Sequence, residues 1–293
     1  MEWVGLGVPQ TTVARSAVLE GVGLHSGRPA RVVIEPAAAG DGIRFTDGTV
    51  TMALAPDGVV ETRRCTTLGC PGLRVATVEH MLAALHCLAV DNALVRVDGN
   101  EMPALDGSAR PWVQAILEAG IADLSDEAWA VAVQEPFATM AGDSVIAASP
   151  SDRLSVTCVT HYDHPLLGLQ AGSFSCTPSA FEAELAPART FGFEEEVQEL
   201  RKSGLALGGA LDNALVIGQD GYSAPLRYPD ECMRHKVVDL LGDLYVTGRR
   251  LQAAVFAVKP GHSTNTLLAR RIWEAAEKAE RCASCSARSL AAA

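Results

Sequence analysis

Residues 231–247 read ECMRHKVVDLLGDLYVT, an apolar stretch that carries three regularly spaced polar side chains. His235, Asp239 and Asp243 follow one another at intervals of four residues, so a helix with 3.6 residues per turn places them on one face. Apolar residues fill most of the remaining circumference, and we therefore expect these three groups to be at least partly buried. Because desolvating an unpaired carboxylate costs several kcal/mol or more, both aspartates require partners.

Either a hydrogen-bond network or a metal ion would satisfy these carboxylates. His235 and Asp239, at positions i and i+4, can both reach one ion, and a catalytic zinc site needs three protein ligands and one open position. His80, within TVEHMLAALHCLAV (77–90), is the best third ligand, and Glu79 beside it could take a proton from a metal-bound water. The alternative is an ordinary His–Asp hydrogen bond on a helix surface, with His80 as a core residue.

Asp243 lies one helical turn beyond Asp239, and His262 lies in a predicted glycine-bounded turn, GHSTN (261–265). A hydrogen bond between Asp243 and His262 would orient the imidazole and favour its protonated form, which gives a general acid opposite a general base. Equally, Asp243 could pair with a backbone amide. A shared metal ion requires the rings of His80 and His235 to lie within about 8 Å of each other, because metal–ligand bonds are near 2 Å.

Composition places the chain among ordinary globular proteins and excludes several functions. The chain has 293 residues, of which 48% are apolar, and a net charge of −11, so we expect no nucleic-acid surface. Its N-terminus does not have the pattern of a secretory signal, no apolar run approaches the roughly 20 residues of a membrane helix, and no obligate protein partner is evident. We therefore expect a cytoplasmic protein that is not integral to a membrane.

The eight cysteines are scattered through a chain long enough to fold without crosslinks, so we expect most of them to be small apolar core residues. Cys282 and Cys285 form a C-x-x-C pattern, but one such pair in an Ala- and Ser-rich tail is weak support for a metal or redox site.

The chain predicts two similar α+β halves produced by internal duplication. The order strands, helix, strand, polar turn and helix occurs twice, with the second series of strands beginning near Trp129. We predict domains at 1–125 and 129–290, joined near 123–127, each a sandwich of a β-sheet and helices, with the active site between them. His80 and His235 then occupy related positions in the two halves.

An insertion at about 188–218 interrupts the second half. Its acidic start at 194–196 and basic end at 201–202 predict a short helix that stops at Gly204. The run LALGGAL (205–211) has little side-chain bulk at its centre, so it could be plain core or could line a channel for an acyl chain.

Seven motifs occur in order along most of the chain: GVGLHSG (21–27), RCTTLG (64–69), TVEHMLAALHCLAVDNALVRVDGNEMPALDGSA (77–109), ARTFGF (188–193), LGGALDNALV (207–216), RHKVVDLLGDLYVTG (234–248) and GHSTN (261–265). They resemble the motifs of the UDP-3-O-acyl-N-acetylglucosamine deacetylases, zinc amidases of lipid A synthesis in Gram-negative bacteria. The family's fold, two similar α+β domains around the active site, agrees with the duplication above. The segment between residues 44 and 63 is shorter than the family's usual first-domain insertion.

The resemblance implies specific roles. The metal ligands would be His80, His235 and Asp239, and the metal Zn²⁺, although Fe²⁺ suits the same ligands. Glu79 would be the general base, His262 the general acid oriented by Asp243, and Thr190 a group that holds the oxyanion. The residues expected to contact the substrate are Lys236 at the sugar or diphosphate end, Phe191, Leu24, His25 and Cys65.

Plainer roles are open for some of these residues. Phe191 could be core, Lys236 a solvated helix residue, and the turn that holds Leu24 and His25 a simple strand connection.

The implied reaction is hydrolysis of the N-acetyl group of UDP-3-O-acyl-N-acetylglucosamine to acetate and a free amine, the committed step of lipid A biosynthesis. The alternatives are a non-catalytic nucleotide-sugar or lipid-binding protein on the same frame, and a deacetylase of another acetylated sugar. A binding protein needs neither a general base nor a general acid, so the presence of both Glu79 and His262 favours an enzyme.

Overall fold

The computed structural model describes residues 1–291, with side chains described for 1–281. The first half contains two helices, α1 (Glu79–Cys87) and α2 (Arg110–Ala119). Its strands are β1 (Glu2–Val13), β2 (Ala17–Val22), β3 (Pro29–Glu35), β4 (Ile43–Thr46), β5 (Thr51–Ala53), β6 (Val59–Glu61), β7 (Thr67–Cys70), β8 (Leu73–Val75) and β9 (Ala93–Asp98).

The second half follows the strand β10 (Ile121–Ala132). Its helices are α3 (Pro178–Ala180), α4 (Glu194–Lys202), α5 (Glu231–Leu244) and α6 (His262–Ala291). Its strands are β11 (Phe137–Ala141), β12 (Ser144–Ser149), β13 (Ser155–Tyr162), β14 (Gly168–Ser175), β15 (Phe191–Phe193), β16 (Leu215–Ile217), β17 (Arg250–Gln252) and β18 (Ala254–Val258). Short 3-10 or π turns occupy Pro56–Gly58, Phe181–Leu185 and Tyr245–Thr247.

The predicted α+β class is confirmed, and the two halves share one sheet topology. The first sheet has the order β2-β3-β9-β4-β5 and the second has the order β11-β12-β18-β13-β14. In both sheets the strand that follows the first core helix lies at the centre, antiparallel to one neighbour and parallel to the other. This identical pairing indicates internal duplication, with α1 equivalent to α5 and α2 equivalent to α6.

Two layers of helices fill the space between the two sheets. Helix α1 packs on α5, α2 packs on α1 and β2, and α6 packs on α5 and β11. Every residue of α1 is buried, which explains why this helix has apolar side chains around its whole circumference. Among the residues that the structure describes, no helix is both long and apolar enough to cross a membrane.

Two details differ from the sequence predictions. The junction near 123–127 is part of β10, which pairs with β1 and with β17, so strand pairing crosses the predicted domain boundary. The predicted turn GHSTN is wrong, because α6 already begins at His262. The helix at 194–202 has the predicted limits, and Gly204 follows it with a φ of +76°. The side chains of Cys282 and Cys285 lie outside the described residues.

Helices α1 and α5 lie in close contact at Gly242. A Cβ atom built on Gly242 would lie 1.9 Å from the backbone carbonyl oxygen of Glu79, a distance that no side chain tolerates. The missing side chain at Gly242 therefore allows the start of α1 to lie directly against α5, and this contact sets the distance between polar groups on the two helices.

We expect Gly242→Ala to lower the free energy of unfolding by about 3 kcal/mol, at the upper end of the usual overpacking cost, because the obstructing atom belongs to a helix backbone. Thermal or denaturant unfolding measures this change. Gly58→Ala is the matched control, because a Cβ at Gly58 meets no atom within 4 Å. Equal stability of the two variants would contradict the close contact.

Candidate metal centre

Three candidate ligands from α1 and α5 converge in the core between the two halves. The Asp239 Oδ1 atom lies 3.5 Å from His80 Nε2 and 3.3 Å from His235 Nε2. The two imidazole centroids are 4.9 Å apart, well inside the separation of about 8 Å that would exclude a shared ion. All three side chains are buried, and their candidate ligand atoms lie within 4.8 Å of one another.

The oxygen atoms of Asp239 have different surroundings. Its Oδ2 atom accepts a 2.7 Å hydrogen bond from Lys236 Nζ, whereas Oδ1 is a buried atom without a hydrogen-bond donor in the described part of the chain. His235 Nδ1 lies 3.1 Å from the carbonyl oxygen of Ala188, and the tautomer that donates there leaves Nε2 as a lone pair facing Asp239. Two imidazole nitrogens around an unpartnered carboxylate oxygen fit a divalent transition metal.

The charges of this cluster are interdependent. Burial lowers the pKa of His235 to about 4, which keeps that ring neutral and able to bind metal. Burial alone would raise the pKa of Asp239, but the neighbouring His235, Lys236 and His80 side chains outweigh it and hold the pKa well below its usual range. Burial also opposes a charge on His80, yet the adjacent carboxylates of Asp239 and Glu79 raise its pKa overall.

Lys236 is not the solvated helix residue that the plainer alternative predicted. Its side chain is only 22% exposed, its ammonium is paired with Asp239, and the same nitrogen lies 5.8 Å from the centre of the Phe191 ring. The ammonium charge is therefore already engaged beside a candidate ligand, which sequence spacing alone did not indicate. A role for Lys236 at the sugar or diphosphate end stays a prediction.

A second polar group adjoins the cluster. Candidate ligand atoms of Glu79, Asp239 and His262 lie within 4.8 Å of one another. His262 Nδ1 lies 2.8 Å from Asp243 Oδ2, so the predicted pairing of these two residues is present in the structure. The carboxylate of the fully buried Asp243 is therefore paired with a side chain.

The pKa shifts of Glu79 and His262 run in directions that suit a base and an acid. Burial raises the pKa of the Glu79 carboxyl, although His262 and His80 partly oppose that shift. Burial would lower the pKa of His262, but the adjacent charge of Asp243 and the hydrogen bond to it prevail and raise the pKa to about 9. At neutral pH His262 is consequently protonated and can donate a proton from Nε2.

Buried ionic contacts fix the chain segment that carries Ala188 and Thr190. Glu231, at the start of α5, accepts hydrogen bonds from the backbone nitrogen of Arg189 at 3.0 Å and from its Nε atom at 2.8 Å. Arg227 donates to the carbonyl oxygen of Pro187 at 2.7 Å and pairs with Asp106 at 2.9 Å. These bonds tie the segment to α5 and to the polar turn of the first half.

A cavity of about 230 Å³ begins beside the cluster and runs along the insertion. Thr190 and Phe191 line it, and the Phe191 ring lies 6.2 Å from the ring of His235. Small and apolar residues form most of the remaining wall: Leu24, Val197, Leu200, Ala206, Gly209, Ala210, Leu211, Ala214 and Val216. The run LALGGAL therefore contributes to a cavity wall, which favours the channel interpretation over plain core.

The turn at 21–27 lies against that insertion. The backbone nitrogens of Leu207 and Gly208 donate to the carbonyl oxygens of His25 and Leu24, each at 3.1 Å. A buried carboxylate, Glu101, accepts from the His25 backbone nitrogen at 2.7 Å and holds the turn in place. His25 Nδ1 accepts a hydrogen bond from the Ala206 backbone nitrogen at 3.4 Å, so Nε2 of the neutral ring carries the proton. This buried Nε2 donor has no partner in the described residues and is open to a ligand in the cavity.

Cys65 is buried near Glu79, and burial raises the pKa of its thiol to about 12. Its Sγ atom lies 3.8 Å from the Thr67 hydroxyl. The thiol is therefore protonated at neutral pH and acts as a packing group. The predicted contact between Cys65 and the substrate is untested.

Sequence reasoning missed several residues that organise this site. These residues are Glu101, Arg189, Glu231 and Thr66. Each contacts a partner that is distant in sequence, so no periodic pattern of side chains indicates the contact. Their only trace in the sequence is that most of them lie inside the quoted motifs.

Two larger cavities, of about 790 and 1140 Å³, are lined by none of the predicted metal-binding, catalytic or substrate-contact residues, so cavity size alone does not identify the site.

Comparisons with a family pattern and with individual proteins identify the same kind of enzyme. The sequence pattern of the LpxC family, UDP-3-O-acyl N-acetylglycosamine deacetylase, matches residues 10–274. A protein of Syntrophotalea carbinolica named UDP-3-O-acyl-N-acetylglucosamine deacetylase is 38% identical over 283 residues, covering 92% of each chain. Proteins of the same name from Anaeromyxobacter dehalogenans and Leptospira biflexa are 42% and 38% identical, covering 90% of this chain and 87% and 90% of their own.

We expect the chain to hold about one divalent ion, since the three candidate ligands share a single centre. His235→Ala should lose most of that metal, because two protein ligands remain. Metal analysis after dialysis against a weak chelator measures the content. His161→Ala, a change at an exposed strand position, is the control and should keep its metal. Full metal content in a folded His235→Ala protein would exclude this ligand set.

Proposed function

Since the chain belongs to the LpxC family of UDP-3-O-acyl-N-acetylglucosamine deacetylases, we propose that it hydrolyses the 2-acetamido group of UDP-3-O-acyl-N-acetylglucosamine, releasing acetate and a free amine. The chain is an enzyme of the hydrolase class, and this reaction belongs to lipid A biosynthesis. The observation that carries the proposal is the buried Oδ1 atom of Asp239, which lies between two imidazole nitrogens and has no donor among the described side chains, with Glu79 and His262 beside it.

Zn²⁺ is the metal that we propose, because two histidines and one carboxylate form a set found in catalytic zinc sites, and Fe²⁺ suits the same ligands. The ion would be held by His80, His235 and Asp239. A bound divalent ion would supply a lowered pKa for the attacking water and polarise the amide carbonyl.

Glu79 would act as the general base. Its carboxylate is buried beside the candidate ligands, and its Oε2 atom is held by a 3.0 Å hydrogen bond from the Thr66 backbone nitrogen. The Oε1 atom would then be the one that accepts the proton of the attacking water. Because burial raises its pKa, the carboxylate is a stronger proton acceptor than an exposed glutamate.

His262 would act as the general acid. The Asp243 carboxylate accepts the Nδ1 proton, so the Nε2 proton is the one available to the amine that leaves when the tetrahedral intermediate collapses. Thr190, next to the segment that holds His235, would donate its hydroxyl to the developing oxyanion.

Substrate selection would rest on the 230 Å³ cavity. Its apolar wall suits the 3-O-acyl chain, because burial of apolar surface contributes about 25 cal/mol per Å² to binding. Phe191, Leu24 and His25 would contact this chain or the sugar, Cys65 would border the reacting centre, and Lys236 would serve the sugar end. Turnover of the same sugar nucleotide without its acyl chain should be much slower, which distinguishes this enzyme from a deacetylase of other acetylated sugars.

We also propose that the reaction takes place in the cytoplasm. All six described cysteines are free, which suits a reducing compartment.

Metal dependence of acetate release tests the function as a whole. We expect acetate release to stop after chelation and to return with Zn²⁺. Without the ion, nothing at the proposed ligands would lower the pKa of the attacking water or polarise the amide carbonyl. Binding of the substrate without any acetate release by the metal-loaded protein would favour a non-catalytic binding protein on the same frame.

Glu79→Gln should keep the metal and lose turnover by about 10²- to 10⁴-fold, the usual contribution of a general base. The amide of Gln preserves the shape of Glu but cannot accept the proton. Single-turnover assays alongside metal analysis measure both quantities. The base assignment would be wrong if a metal-loaded Glu79→Gln protein turned over at the normal rate.

The pH profile of kcat/KM should fall on its alkaline side as His262 deprotonates near pH 9, because a group with a raised pKa donates a proton only below that pKa. Asp243→Asn removes the charge that raises this pKa, so the alkaline limb should move to lower pH. Asp98→Asn, an exposed change, should leave the profile in place. An unshifted alkaline limb in Asp243→Asn would exclude His262 as the acid.

A further inference from the structure

Thr66 lies between the proposed base and the residue that orients the proposed acid. It directly precedes β7, and none of its surface is exposed. Its backbone nitrogen donates to Glu79 Oε2 at 3.0 Å, and its hydroxyl donates to Asp243 Oδ1 at 2.5 Å. One residue therefore bonds to both carboxylates, which belong to different helices and to different halves of the molecule.

The hydroxyl of Thr66 is the only described donor to the Oδ1 atom of Asp243. The other oxygen of that carboxylate, Oδ2, accepts from His262 Nδ1 at 2.8 Å and from Asn265 Nδ2 at 2.9 Å. With donors on both oxygens, the carboxylate plane is fixed and so is the His262 ring bonded to it. Loss of the hydroxyl would leave a fully buried carboxylate oxygen without a donor, which is unfavourable.

The backbone of Thr66 is itself held in place. Its carbonyl oxygen accepts a hydrogen bond from the Val78 backbone nitrogen at 3.3 Å, immediately before α1. The hydrogen bond to Glu79 therefore comes from a backbone fixed to the start of the same helix. A continuous series of contacts runs from Glu79 through Thr66 and Asp243 to His262.

We propose that Thr66 is a positioning residue, which fixes the proton acceptor Glu79 and the proton donor His262 relative to each other. The proposal rests on the proposed function, because it assigns Thr66 to the same proton transfers. None of these contacts joins Thr66 to the proposed metal ligands His80, His235 and Asp239. It acts through Asp243 on the acid and through its backbone on the base.

Two substitutions separate the hydroxyl of Thr66 from its packing. Thr66→Val keeps the branched shape and removes the donor, whereas Thr66→Ser keeps the donor and removes a methyl group. We expect Thr66→Val to lower kcat by about 10- to 100-fold, as is usual for loss of an outer partner of a catalytic group, with KM changed less than about twofold. Thr66→Ser should recover most of kcat, and both variants should keep their metal.

Thr139→Val is the matched control. Thr139 is 3% exposed, lies in β11, and its hydroxyl has no partner in the described residues, so the variant should behave as the wild type does. If Thr66→Val fails to fold, Thr66→Ser and Thr66→Ala carry the same comparison, because they differ only by the hydroxyl.

A double-mutant cycle shows which partner transmits the effect. The backbone nitrogen at position 66 still donates to Glu79 in the Thr66→Val variant, so the loss of activity reports on Asp243 and His262. In a His262→Ala background, Thr66→Val should lower the residual kcat by no more than about threefold, because residues that act as a unit are not additive.

The wild-type assay distinguishes failure of the positioning role of Thr66 from failure of the proposed function. If the metal-loaded wild type releases acetate but Thr66→Val matches it, or if Thr66→Ser is as slow as Thr66→Val, the positioning role is wrong and the proposed function stands. An undiminished effect of Thr66→Val in the His262→Ala background also overturns the positioning role. If the wild type releases no acetate, the proposed function and this inference fail together.

Discussion

The close contact between α1 and α5 is the constraint on which the rest of the site depends. Gly242 has no side chain, so the carbonyl of Glu79 can lie against α5 at a distance that would exclude a Cβ atom. That approach brings His80 on one helix to within a few ångströms of His235 and Asp239 on the other. Duplication of one α+β unit supplies two equivalent helices, and their packing creates a buried site that neither half contains alone.

Two aspartates one turn apart on α5 have different environments and are therefore suited to different roles. Asp239 has one oxygen paired with Lys236 and one oxygen to which no side chain or backbone group within residues 1–281 donates, which is the arrangement that a cation would complete. Asp243 has donors on both oxygens and is occupied entirely with orienting His262 and with the contacts to Thr66 and Asn265. Because both carboxylates are buried, each needs its partners: an unpaired charge in this core would be strongly unfavourable.

The insertion in the second half connects the chemical centre to a binding surface. Glu231 and Arg189 form a buried ion pair that holds the segment at 187–191, from which the Ala188 carbonyl contacts His235 and Phe191 enters the cavity wall. The turn at 21–27 of the first half is hydrogen-bonded to the same insertion. Residues from both halves therefore determine the shape of the cavity, while rigid helices determine the position of the reacting groups.

Features that depend on neighbours along the chain follow from the amino-acid order alone. Helical period placed His235, Asp239 and Asp243 on one face, end signals gave the limits of the helix at 194–202, and the repeated order of elements predicted the duplicated α+β fold. What those faces contact became visible only in the folded chain. The burial of Lys236, the pairing of β10 with β1 and the double contact of Thr66 all involve partners that local pattern does not report. The physical reason is that periodicity fixes the direction of a side chain relative to its own element, whereas partners and pKa values depend on packing between elements distant in sequence.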